Sequence, residues 1–72
     1  MSHRLNGTSV DDAKGSLICT LERNPAGTAQ EALEALIDLQ GKEGHTSRRK
    51  MLGTILRKAI KLLETEGGGH GQ

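Results

Sequence analysis

Seventy-two residues leave room for one small domain. That domain has no Phe, Tyr or Trp, a formal net charge of +1 and a single cysteine, Cys19. No apolar run of about 18 residues is present, so nothing reads as a membrane span, and an intrachain disulfide is excluded. The core must therefore come from aliphatic side chains alone. A chain this short usually needs a disulfide, a metal or a partner for comfortable stability, so self-association or a second chain is the expected supplement.

Residues 1–7 show no periodicity, and 68–72 form a Gly-rich tail. Both are expected to be disordered, with a single helical domain over 8–67 between them. In the first periodic segment, near 9–23, Val10, Ala13, Leu17, Ile18 and Leu21 recur at three-to-four-residue steps. Thr8 or Ser9 can cap it, Asp11 and Asp12 suit its positive end, and Asn24-Pro25 stops it. The alternation of Leu17, Cys19 and Leu21 offers a short strand instead, but the start and stop signals favour a helix. Gly15 in its middle costs about 1 kcal/mol against Ala.

The second segment, near 28–40, opens on Thr28-Ala29-Gln30-Glu31, the pattern of a capping box. Ala29, Ala32, Leu33, Leu36 and Ile37 make one apolar stripe, and Gly41 is placed to end the helix in the left-handed region. The third, near 46–66, starts at Thr46 or Ser47. It carries a broad apolar face of Met51, Leu52, Ile55, Leu56, Ile60 and Leu63, read as core and dimer surface together, with Ala59 and Leu62 alongside. That face is wider than one neighbouring helix can cover. The short 41–45 linker makes helices two and three an antiparallel hairpin. The expected fold is all-α: a three-helix domain that forms a dimer.

Charge is unevenly placed. Residues 1–45 hold four basic and seven acidic side chains, net −3, whereas 46–72 are net +4. Arg48, Arg49, Lys50, Arg57, Lys58 and Lys61 all fall within 46–61, a stretch without Asp or Glu. Such asymmetry points to an anionic partner or to pairing between the halves, for example Asp38 with Lys50 and Glu31 with Lys61. Arg48-Arg49-Lys50 opens a helix, where the macrodipole disfavours cations by a few tenths of a kcal/mol each. An anion docking there would explain the placement. These six residues are the candidate partner-binding set.

Leu17–Leu21 as a strand, a helix, the Gly44-His45-Thr46-Ser47-Arg48 turn and Met51-Leu52-x-x-Ile55-Leu56 together loosely resemble ribbon-helix-helix repressors. The resemblance implies a dimer whose paired strands enter the major groove. Outward positions of that strand would be Ile18, Thr20 and Glu22, none of them Arg, Lys or Gln suited to base edges. The gap from Leu21 to Thr28 is also longer than that family's turn.

Catalysis has no support. No Gly-x-Ser-x-Gly, phosphate loop or His-Glu-x-x-His is present, and His3, His45 and His70 are far apart. No metal site, cofactor or small-molecule substrate is expected, and Cys19 reads as a small buried hydrophobe. The sequence therefore reads as a non-catalytic regulatory or adaptor module. It would bind an acidic protein partner, and itself, through the basic helix 46–66; a small DNA-binding regulator is the alternative. A lone Cys and the absence of an apolar leader in Met1–Asn6 fit the cytoplasm, or the nucleus in a eukaryote.

Overall fold

Ser9, Asn24 and Pro25 set the helix boundaries in the computed structural model, which describes residues 3–67. A 3-10 turn, Arg4–Asn6, precedes α1 (Val10–Leu21), α2 (Pro25–Asp38) and α3 (Thr46–Gly67). The 68–72 tail lies outside the described residues. Ser9 caps α1 by accepting from the Asp12 amide at 3.1 Å, with Asp11 and Asp12 in the first turn as expected. Among the described residues there is no strand. Leu17–Leu21 forms the last turns of α1, so the ribbon implied by the repressor resemblance is corrected. Once the cap starts the helix, Ala13, Leu17 and Leu21 share one face at helical spacing, and this outweighs the short alternation.

α2 begins three residues earlier than the Thr28 box predicts. Asn24 is the true cap: its side-chain oxygen accepts from the Gly27 amide at 3.1 Å, and Pro25 opens the helix with its φ already set. Thr28 therefore lies one turn inside, 2% exposed, with its hydroxyl 2.7 Å from that of Thr20 on α1. This pair lets a buried polar group cross the α1–α2 contact without an unmet hydrogen bond.

The packing face of α2 also differs from the expected stripe. Thr28, Ala32, Ala35 and Leu39 are buried, while Leu33 and Ile37 stay outside, Ile37 at 54% exposure. Alanines mark the close contacts: Ala13, Ala32, Ala35 and Ala59 are all buried, around Leu5, Leu17, Leu39, Leu52 and Ile55. Small side chains let helix backbones approach, and the bulkier neighbours on α2 are left at the rim. α2 and α3 share the most extensive contact in the fold. No helix among the described residues is long and apolar enough to cross a membrane.

The expectation of disorder in 1–7 fails for residues 3–7. Leu5 is buried, 1% exposed, and belongs to the core. The Asn6 amide donates to the Ala35 carbonyl at 3.0 Å and to Asp38 Oδ2 at 2.9 Å, and the His3 amide donates to Asp38 Oδ2 at 3.1 Å. Arg4 pairs with Glu31, and His3 Nε2 lies 3.5 Å from Glu34. The segment has no helical period because it is a strap, anchored by one apolar plug and a row of polar contacts along α2.

Candidate partner-binding face of α3

α3 carries every cation of the candidate set, yet the structure divides that set in two. Arg48 turns back over the strap: its guanidinium donates to the carbonyls of Leu5 at 2.6 Å and Thr8 at 2.5 Å. Arg49 gathers the α2–α3 loop, donating to the carbonyls of Leu39 at 3.1 Å, Lys42 and Gly44. That loop needs such an anchor. Gly41 and Gly44 take φ of +80° and +82°, and His45 takes +59°, a region uncommon for a non-glycine residue. Gly41 takes the expected left-handed form but does not end the helix: α2 stops at Asp38 with Leu39 as its C-cap, and Gly41 lies in the turn beyond. The Arg49 amide donates to the His45 carbonyl at 2.9 Å, where α3 begins.

Five donor contacts thus explain why two arginines tolerate the positive end of a helix. A delocalised guanidinium satisfies carbonyls at a turn in a way a lysine ammonium does not. Their partners are backbone groups up to 43 residues away, which leaves no side-chain pattern in the sequence to find them by.

Lys50, Arg57, Lys58 and Lys61 are different. All four are exposed. Among the described residues, the ion pairs are His3–Glu34, Arg4–Glu31 and Lys42–Asp38, and none uses a cation of α3. The acids expected to neutralise the stripe are engaged elsewhere: Glu31 meets Arg4, and Asp38 meets Asn6, His3 and Lys42. The Asn6 amide, the His3 backbone amide and then Lys42 hold the Asp38 carboxyl below its ordinary value of 3.8. A shallow hollow of about 400 Å³ runs beside Lys50, Gly53, Thr54 and Arg57. A Cβ built on Gly53 meets only Arg57 Nη1, at 3.8 Å, so among the described residues no backbone of another element lies close to this glycine.

The face read as core and dimer surface also divides. Leu52 and Ile55 are buried in the core, Met51 and Leu56 pack against it half-buried, and Ile60 and Leu63 are exposed. The unexpected members of the exposed apolar set are Leu33 and Ile37 on α2 and Ile18 on α1. Cys19 is exposed rather than buried, because Leu17 and Leu21 take the inward positions on either side of it. The chain matches no family model, no curated protein and no solved structure.

Proposed function

We propose that this chain is a non-catalytic binding module, regulatory or adaptor in role, that presents α3 to an acidic protein surface and pairs with a second copy of itself. The observation that carries this reading is the stripe of Lys50, Arg57, Lys58 and Lys61, exposed and without an ion-pair partner among the described residues. Carboxylates one turn away would support the helix by a few tenths of a kcal/mol per pair, yet α3 has none before Glu64. A single-sign exposed stripe speeds encounter with an oppositely charged surface and rejects like-charged ones. Arg48 and Arg49 lend their charge to that field while their donors hold the fold.

Pairing with a second copy is supported by the apolar side chains that α2 and α3, packed on one another, leave uncovered. Leu33 and Ile37 lie one turn apart on α2, as do Ile60 and Leu63 on α3, and all four are exposed. Each pair offers an exposed apolar strip on its own helix that a second copy could cover.

The test titrates oligoglutamate and duplex DNA against the full chain and against Lys50→Glu/Arg57→Glu/Lys61→Glu, at about 50 and 200 mM salt. Sedimentation gives the mass at tens of micromolar. Oligoglutamate binding that is lost in the triple variant, with a dimer mass, is the expected result. Tight, sequence-selective DNA binding with a steep salt slope would replace this reading with a DNA-binding regulator, and a monomer mass would remove the pairing.

A further inference from the structure

Two hollows lie along the seam between α1 and α3. The first, about 360 Å³, has Val10, Ile18 and Met51 in its lining together with Lys14, Lys50, Lys58 and the carboxylate of Asp11. The second, about 470 Å³, has Leu21 and Leu62 with Lys58, Lys61 and Glu22. Lys58 borders both, so they are neighbouring stretches of one trough. Val10 stands at one end and Leu21 at the other, so the trough follows α1 over its 12 residues, a length of about 18 Å or three helical turns.

The lining has a definite chemistry. Ile18 is 49% exposed although it sits where the trough could bury it. Lysine side chains lay their methylene stems on apolar surface and keep the ammonium in water, so Lys14, Lys50, Lys58 and Lys61 form cationic rims over an apolar floor. Against these four cations stand Asp11 and Glu22, one in each hollow. An apolar floor between positive rims is complementary to a helix whose apolar stripe is flanked by carboxylates. A nucleic-acid backbone would satisfy the rims and leave Ile18 and Met51 unfilled.

We propose that the α1–α3 trough receives one acidic amphipathic helix of a protein partner. Its apolar side chains rest on Ile18 and Met51, and its Asp or Glu flanks meet Lys14, Lys50, Lys58 and Lys61. This deepens the binding-module reading and rests on it: it names the partner's shape and moves the centre of contact from the outer face of α3 to the seam. Lys14 and Ile18, on α1, become contact residues, and Arg57, which borders neither hollow, becomes peripheral.

The probe is a labelled peptide of about fifteen residues with Leu at i, i+4, i+7 and i+11 and Glu on both flanks. It is compared with a scrambled peptide of equal composition, with oligoglutamate of equal charge and with duplex DNA, by fluorescence anisotropy on the full chain. The patterned peptide should bind at least about tenfold tighter than the scrambled one. Ile18→Asp and Lys14→Glu/Lys58→Glu should each weaken it at least about tenfold, and Arg57→Glu less than about threefold. Ile18 is half exposed, so its variants keep the helical circular dichroism; Ile18→Ser, without added charge, separates lost packing from repulsion.

Equal binding of scrambled peptide and oligoglutamate, weakened by Arg57→Glu and untouched by Ile18→Asp, overturns the trough and leaves the acidic-surface reading standing. No binding of any acidic probe up to about 1 mM overturns both. Tighter binding of DNA than of the patterned peptide overturns both in favour of nucleic acid.

Discussion

Arg49→Met and Lys50→Met, adjacent substitutions that each remove one cation near the start of α3, should differ sharply in their consequences. The macrodipole alone favours both losses by about 0.3 kcal/mol. Lys50 is exposed and makes no ion pair among the described residues, so its change in stability stays within about 0.5 kcal/mol. Arg49 donates to three carbonyls, of Leu39, Lys42 and Gly44. A hydrogen bond from a charged donor contributes about 1.5–3 kcal/mol when shielded. These carbonyls border water and regain solvent when the guanidinium goes, so a discount to about 0.7 kcal/mol each is warranted, or about 2 kcal/mol in all. In a domain of this size that is a fall in melting temperature of roughly 10 °C. Circular dichroism at 222 nm, followed with temperature, measures it without an aromatic reporter. If Arg49→Met melts within about 2 °C of the parent chain, the loop does not depend on this arginine and the division of the basic turn is wrong.

Leu5→Ala should cost about 3 kcal/mol in urea denaturation, because a fully buried leucine leaves a cavity; a loss below about 0.5 kcal/mol would mean that the strap does not dock. Asp38 is held below its ordinary value, so its contribution to stability is present above about pH 4 and fades as pH falls through the lower folded-state value. Melts between pH 2 and 7 should therefore show the parent losing its advantage over Asp38→Asn on acidification, and a constant gap would refute the assignment. Gly15→Ala meets nothing within 4 Å and should stabilise by about 1 kcal/mol. Gly53→Ala meets only the flexible end of Arg57, at 3.8 Å, among the described residues, so a destabilisation there that grows with protein concentration would place a second copy against it.

Three helices and the start of α1 were legible because their signals are local: Ser9, the acids behind it, and apolar spacing on one strand of text. The left-handed backbone of Gly41 was legible for the same reason, but the end of α2, at Asp38, was placed too late. The start of α2 was misread because Asn24-Pro25 serves twice, closing one helix and capping the next, and the Thr28–Glu31 pattern imitates a cap. The strap escaped notice because its evidence is a single leucine, Leu5, with no neighbour at helical spacing. The choice of Ala32 and Ala35 over Leu33 and Ile37 as the inward face was invisible to hydrophobicity, which ranks leucine first; close approach of helices decides it. The basic stripe was visible as charge, but the commitment of Arg48 and Arg49 to backbone carbonyls is a tertiary fact.

The alanine-lined contacts described above also bear on how this protein responds to temperature. Heat capacity on unfolding follows newly wetted apolar area, about 12–15 cal/mol/K per residue in average domains. Alanine exposes far less such area than leucine or phenylalanine, and this chain has no aromatic at all. Its heat-capacity increment should fall below that average. The stability curve is then flatter: stability changes little on either side of its maximum. Cold denaturation recedes correspondingly far below the freezing point of water.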